Sequence, residues 1–347
     1  MVAGAGAIGA SVAYHLALLG ARDVVLADRA AVAAGASGKA MGGVRQQFST
    51  APEVRLAQES IRFFEELGPR FFEQVGYLFV ATTAEGGARL EKRLRTQTAL
   101  GVPVEEVDPS FVVGLHTDDV MAAVFCAKDG VADPAGVTRE LVRRAAGLGV
   151  EVREGAPAEE LSADVRVIAC GAWSAEVAAR LGVKLPVRPL CRQLLETGPL
   201  TGLPERLPMV VEAETGFHFR RRGDRLVLAM ADAAARWGFE ETVDESVFPD
   251  RLERLSHRFP PAAGTSVERA WAGLYDMTPD AHPVIGPVAD GVYAACGFSG
   301  HGFMQAPAVG RAVAEEILTG ASAIDLSPYR LGRFDALDVE PAEELLL

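Results

Sequence analysis

The chain has 347 residues, 49% of them hydrophobic, with a formal net charge of −13 and no basic run. That length supports a large core and two domains, and the acidic balance argues against a nucleic-acid partner. No stretch of about 18 uncharged apolar residues is present, so no helical membrane span is expected. Residues 1–28 lack a basic n-region, so no secretory leader is expected either. Cys126, Cys170, Cys191 and Cys296 are far apart in the chain. They suggest neither a metal knuckle nor a redox pair; reduced thiols in a cytoplasmic protein, and no metal site, are expected.

In chain order, the first pattern runs from Val2 to Asp28. Gly4, Gly6 and Gly9 form G-x-G-x-x-G, with Ala7 and Ile8 between the last two. An alanine-rich helix follows, Gly20 ends it, and a strand closes on Asp28, nineteen residues after Gly9. This is the order of a βαβ dinucleotide fingerprint. Gly4 allows the tight turn, Gly6 lets a pyrophosphate approach the backbone, and Gly9 lets the helix pack on the strand. The helix N-terminus offers N–H groups to phosphate, and Asp28 offers acceptors to a ribose. Only Met1, Val2 and Ala3 precede the first glycine. The first strand is therefore expected to be short, or to begin before this sequence does.

Residues 34–48 are rich in glycine and alanine and read as a loop, with Lys39 and Arg45 placed in it for an anionic ligand. The periodicity then predicts a helix over 52–67, stopped by Gly68-Pro69, a strand over 76–83, a charged helix over 85–100 and a strand over 120–127. Helix 135–148 and strands 149–153 and 165–169 follow. Residues 186–196, 208–220 and 225–231 read as strands and 246–258 as a helix. A strand over 292–295 leads into Gly297-Phe298-Ser299-Gly300-His301-Gly302 and a helix to about Leu318. The acidic tail from Asp335 is expected to fray.

The α/β pattern thus opens the chain, returns near 135–175 and closes it. An α/β nucleotide domain from segments 1–50, 130–175 and 268–334 is expected, with an α+β substrate domain from 51–129 and 176–267 and a tail at 335–347. A simple NAD dehydrogenase, whose nucleotide domain is usually contiguous, fits this order poorly.

Several stretches together resemble the D-amino acid oxidase superfamily of FAD enzymes, in particular the branch of sarcosine, dimethylglycine, glycine and L-proline oxidases and dehydrogenases. They are the fingerprint at 4–28, GASGKAMGGVRQQF at 35–48, VIACGAWS at 167–174, WAGLYDMTPDAHPVIGP at 271–287 and GVYAACGFSGHGFMQAPAVGRAVAEEIL at 291–318. TGFHFR at 215–220 and GYLFVATT at 76–83 are similar to the same branch. The resemblance implies a Rossmann-like FAD-binding domain, a mixed β-sheet domain, and substrate held between flavin and sheet. It places the cofactor against the fingerprint and Arg29, against Ser37, Gly38, Lys39, Gly42, Gly43 and Val44, and against Cys170, Gly171 and Trp173. Gly273, Gly297, Ser299, Gly300, His301, Gly302, Phe303 and Met304 complete that set. A glycine-rich turn opening a helix suits the flavin edge that gains negative charge on reduction.

The resemblance implies hydride transfer from the C–H of an amine or N-substituted amino acid to flavin N5. Tyr275, His301, His218 and Arg45 are the candidate catalytic residues, and Arg45, Arg188, Arg192 and Arg220 the candidate carboxylate clamps. Relatives tether FAD through a cysteine where this chain has Gly273, or a histidine where it has Lys39, so non-covalent FAD is expected. Sarcosine oxidases hold a lysine that assists oxygen at a position aligned with Val227, and a carboxylate-binding lysine at Met304; slow use of oxygen follows. The leading reading is an FAD-dependent amine oxidoreductase acting on sarcosine, proline, glycine or a similar amino acid. The alternative is the flavin β subunit of a multi-subunit dehydrogenase that passes electrons to a partner.

Overall fold

A computed structural model describes residues 1–158 and 161–335. The fold is mixed α/β. A six-stranded sheet has the order Val284–Ala289, Val292–Cys296, Arg166–Ile168, Val2–Ala3, Val25–Asp28 and Glu151–Glu154. All neighbours are parallel except Val284–Ala289, which runs antiparallel to Val292–Cys296. Val2–Ala3 is short, as expected, yet pairs on both sides. The helix Ala7–Leu18 is apolar nearly all round because it is covered on all sides. Its inner face meets Val2 and Leu26, and the helices Pro134–Gly147 and Gly302–Thr319 flank it. At Gly310 an added Cβ would lie 2.1 Å from the Ser11 hydroxyl, so the last of these helices touches the first almost backbone to backbone.

A nine-stranded sheet lies over the carboxyl ends of the parallel strands. Arg188–Thr197 is its pivot, pairing with Arg225–Ala229, with Arg236–Trp237 and, along its whole length, with Val267–Met277. The sheet continues through His218–Arg222, Met209–Glu212, Tyr77–Ala81, Ala122–Cys126 and Val104–Glu106. Alternate residues sort to opposite faces. Tyr77, Phe79 and Ala81 pack toward the helix Ala51–Leu67, while Leu78 and Val80 join Leu255 and Phe259 beneath the helix Phe248–Arg258. A small third sheet joins Gly43–Val44 and Phe72–Glu73 to Gly130–Ala132.

Several expectations need correction. The strand expected over 208–220 is two strands, Met209–Glu212 and His218–Arg222, joined by a turn in which Gly216 takes φ +67° and Phe217 O accepts from Glu212 N at 2.8 Å. Val267–Met277 and Val284–Ala289 were not foreseen as strands. The glycine-rich loop holds the short helix Ala36–Lys39 and the strand Gly43–Val44. Val267–Met277, grouped above with the nucleotide-binding segments, lies in the larger sheet because its partner is Arg188–Thr197. Helix Ala51–Leu67, grouped with the substrate domain, packs on Gly302–Thr319, where Ser60 Oγ accepts from Ala308 N at 3.2 Å. Beyond Asp335 the tail lies outside the described residues.

Candidate active site

Between the two large sheets runs a cavity of about 380 Å3. Its first half is built on the N-terminal glycines. Gly4 sits at φ +103°, and a Cβ there would lie 2.3 Å from Ala169 O. A Cβ on Gly9 would lie 1.8 Å from Gly4 O, so the turn closes only with glycine at both positions. At Gly6 a Cβ would meet only Ser37 Oγ, at 3.3 Å, and beyond it the space opens into the cavity. Asp28 Oδ2 accepts from Ala5 N at 2.7 Å and Oδ1 from Ala30 N at 2.8 Å. Each oxygen keeps a second lone pair for a ribose hydroxyl. Ser37 Oγ accepts from Ala7 N at 2.9 Å and so ties the glycine-rich segment to the helix start. Arg29 lies 4.4 Å from the centre of the Trp173 ring, which stacks on Phe239 at 5.8 Å. Lys39 is ion-paired with Glu241 across the cavity mouth.

The second half is shaped by the turn at 297–302. Gly300 has φ +96°, and a Cβ there would lie 2.4 Å from the Tyr275 ring, so the turn rests on that ring. The half-buried carboxylate of Asp276 accepts from Gly297 N at 2.7 Å. Burial pushes this carboxyl up to about 6 despite the backbone N–H groups that hold the charged form. The helix Gly302–Thr319 starts at the cavity, as Ala7–Leu18 does, so two helix N-termini open onto one space. Two glycine turns and two positive helix ends along one elongated cavity fit an anionic dinucleotide with a flavin at the far end.

Titratable groups cluster at that end. His218 Nδ1 donates to Gly216 O at 2.8 Å, leaving Nε2 as the acceptor. Burial, and then the charge of Arg45, pull His218 down to about 4, so it is neutral at pH 7. Arg45, 1% exposed, donates to Gln47 O, lies 4.2 Å from the centre of the Phe48 ring and donates to His301 Nε2 at 3.3 Å. His301 Nε2 is therefore the accepting nitrogen in that contact. Burial raises the phenols of Tyr275 and Tyr77, which stay protonated.

Most of the expected site residues line this cavity: Gly4, Gly6, Ala7, Ile8, Asp28 and Arg29; Ser37, Lys39, Gly42, Gly43 and Arg45; Cys170, Gly171 and Trp173; His218, Gly273 and Tyr275; and Gly300 to Met304. Gly9, Gly38, Val44, Gly297 and Ser299 do not, and stand behind the wall instead. An added Cβ on Gly38 would lie 2.2 Å from Ala33 O, and one on Gly297 would lie 2.4 Å from the Thr278 side chain. Ser299 Oγ accepts from Thr278 N at 3.2 Å. Val227 is also absent from the wall; on its strand the cavity meets Ala229 and its successors Met230 and Ala231.

Of the four candidate clamps, Arg45 and Arg192 line the cavity. Arg220 is spent on Met41 O at 2.6 Å, and Arg188 lies over Trp237 at 4.4 Å. Arg192 lies 5.8 Å from the centre of the Tyr275 ring, and its buried Nε has no hydrogen-bond partner among the described residues.

Sequence reasoning missed Asp276 and Asp129. Asp129 is wholly buried, and its Oδ1 accepts from Gln46 N at 2.9 Å and its Oδ2 from Gln47 Nε2 at 3.1 Å, fixing the loop that carries Arg45. Nothing in the sequence distinguishes it from a surface turn acid. Burial pushes Asp129 up to about 6, from an ordinary 3.8. A carboxyl raised in the folded state favours folding while protonated, and that contribution is lost as pH rises from about 4 to 6. The loss is about 3 kcal/mol for such a shift. Asp129→Asn should therefore gain stability relative to wild type by that order between pH 4 and 7 in urea titrations. A constant difference across that range would contradict the assignment.

Comparison with known proteins agrees with this geometry. Residues 1–316 match the DAO family, FAD dependent oxidoreductase. The chain is 31% identical to FAD-dependent oxidoreductase domain-containing protein 1 of Bos taurus, over 96% of this chain and 84% of the relative. It is 26% identical to mitochondrial sarcosine dehydrogenase of Homo sapiens over 96% of this chain, but spans 41% of that protein. Among solved structures, L-proline dehydrogenase from P. horikoshii superposes with a TM-score of 0.89 at 26% identity, over 96% of both chains. This chain belongs to the DAO family of FAD-dependent oxidoreductases.

Proposed function

We propose that the protein oxidises the C–N bond of a small amino acid, with a secondary or N-methylated amine preferred, to the corresponding imine. The observation that carries this reading is Arg192: a cavity-lining guanidinium whose buried Nε has no hydrogen-bond partner among the described residues, set beside the Tyr275 ring. A planar fork of donors suits a carboxylate, and an unmet buried donor is costly until a ligand meets it. The names of similar proteins point the same way, including a proline dehydrogenase, a sarcosine dehydrogenase and a 4-methylaminobutanoate oxidase.

FAD, when bound, supplies the two-electron acceptor for the hydride leaving the substrate carbon. The chain supplies the rest. Arg192 anchors the carboxylate, and the Tyr275 ring limits its movement. His218 Nε2 accepts a hydrogen bond from the amine and favours neither a charged neighbour nor a strong base, since the ring stays neutral. Arg45, which donates to His301 Nε2, forms the cationic wall opposite. Gly6 and the start of the helix Ala7–Leu18 hold the pyrophosphate, and Asp28 the adjacent ribose. Segments 1–50, 130–175 and 278–334 would form the cofactor half, and the nine-stranded sheet the substrate half. The location is proposed to be cytoplasmic on the strength of four free cysteines; among the described residues no helix is long and apolar enough to cross a membrane.

The carboxylate requirement is tested by dye-coupled turnover of proline against pyrrolidine and sarcosine against dimethylamine. Turnover of the carboxylates alone is expected; equal rates with the decarboxylated amines would remove the reading. The cofactor is proposed to be non-covalent, because Gly273 and Lys39 stand where relatives carry tethers. Acid precipitation should leave the yellow colour in the supernatant, and colour kept in the pellet would contradict this.

A further inference from the structure

Outside the cavity, a second group of side chains converges at the far edge of the nine-stranded sheet. His116, Asp118 and Asp119 lie on the irregular segment after Leu115, and His257 lies in the last turn of the helix Phe248–Arg258. The two imidazole rings meet edge to face with centroids 4.6 Å apart. His257 Nε2 is 3.1 Å from Asp119 Oδ2, and His116 Nδ1 is 3.7 Å from Asp119 Oδ1. The other nitrogen of His116 is 3.7 Å from Asp118 Oδ2. One ligand atom from each of His116, Asp119 and His257 falls within 4.8 Å of the others. His116 Nδ1 is buried and has no hydrogen-bond partner among the described residues. None of the four lines the cavity.

We propose that His116, His257 and Asp119 form a site for a divalent ion of the zinc class, with water completing the coordination. Two imidazoles and a carboxylate are a donor set that suits Zn2+ and its neighbours and not Mg2+ or Ca2+. Tetrahedral coordination at about 2.0–2.2 Å needs the donors to close by roughly an ångström. The irregular segment and the side-chain torsions of exposed residues allow that movement.

Charge favours the ion. Arg258 donates to both oxygens of Asp119 at 2.8 and 3.0 Å and also pairs with Glu212 at 2.8 Å. Two carboxylates therefore surround one guanidinium, leaving a local charge of about −1 for a dication to meet. The guanidinium also fixes the orientation of the Asp119 carboxylate beside the two imidazoles. The bound ion would clip the 112–121 segment to the helix Phe248–Arg258, which packs on the face of the sheet away from the cavity.

The test uses the tag-free FAD-loaded enzyme, stripped with chelator and dialysed at pH 7.5. Zn2+ is added by calorimetric titration, with Mg2+ as the control ion. His257 and His116 have side chains 52% and 30% exposed, so alanine at either position should fold. One equivalent of Zn2+ is expected to bind in the micromolar range and raise the Tm. His116→Ala and His257→Ala should each weaken binding at least tenfold while dye-coupled turnover stays at the wild-type value. Absence of Zn2+ binding below about 100 μM, or binding that both variants leave unchanged, would overturn the proposal.

Discussion

Gly6→Val is expected to give a folded, colourless protein. The backbone at Gly6 has φ −76° and ψ −177°, which any residue adopts, and a Cβ there meets only Ser37 Oγ at 3.3 Å. The chain therefore tolerates the side chain; the ligand does not, because the branched methyls enter the space where the turn and the helix N-terminus converge. Loss of one close phosphate contact and of two N–H donors is expected to cost at least about 3 kcal/mol, or roughly a hundredfold in FAD affinity. Gly9→Ala is the contrasting case. Its Cβ would lie 1.8 Å from Gly4 O, so this variant should fail as a fold and not merely as a binder. Far-UV circular dichroism with flavin absorbance at 450 nm separates the two outcomes. A Gly6→Val protein as yellow as wild type would show that the turn does not hold the cofactor.

Arg192→Leu has the second largest expected effect. A charge-assisted hydrogen bond to a carboxylate contributes about 1.5–3 kcal/mol, so KM should rise by roughly 10- to 100-fold. The flavin spectrum should not change, since Arg192 sits at the substrate end, beside Tyr275. Arg192→Lys keeps the charge but loses the fork and should recover only part of the affinity. Arg45→Lys is expected to behave differently. Arg45 is already bound to Gln47 O and to His301 Nε2. Its replacement disturbs the loop and the cavity wall together, so kcat and flavin spectrum should both move. An Arg192→Leu enzyme with an unaltered KM would transfer the clamp to Arg45.

The fingerprint was legible because its constraints are local. Gly9 is required by Gly4 O within its own turn, and the helix and Asp28 follow in sequence, although the carbonyl that crowds Gly4 comes from Ala169 on another strand end. The glycine turn at 297–302 was legible for the same reason, although the partner that demands Gly300, the Tyr275 ring, lies on another strand. Long-range pairing was not legible. Val267–Met277 mixes Trp271, Gly273 and Tyr275 and follows no simple alternation; it is a strand because Arg188–Thr197 pairs with it residue by residue. Four arginines were equivalent in sequence, and only the cavity separates Arg192 from Arg188 and Arg220. Asp129 had no periodic or motif signal, because a buried acid is defined by the N–H groups that reach it from elsewhere; Asp276 lay inside the stretch at 271–287 with nothing to mark its role.

The most direct test of the account is anaerobic flavin reduction. The enzyme, yellow and under argon, is mixed in a stopped-flow instrument with proline, sarcosine, dimethylglycine, glycine or 4-methylaminobutanoate, and absorbance near 450 nm is followed. At least one of these amino acids is expected to bleach the flavin completely, with a rate that saturates in substrate, and Arg192→Leu should shift the half-saturating concentration upward. Admission of air or of a dye then shows whether oxygen or a separate acceptor restores the colour. A flavin that stays oxidised with every amino acid, yet bleaches with an amine lacking a carboxylate, would contradict the assignment of this cavity to amino-acid oxidation.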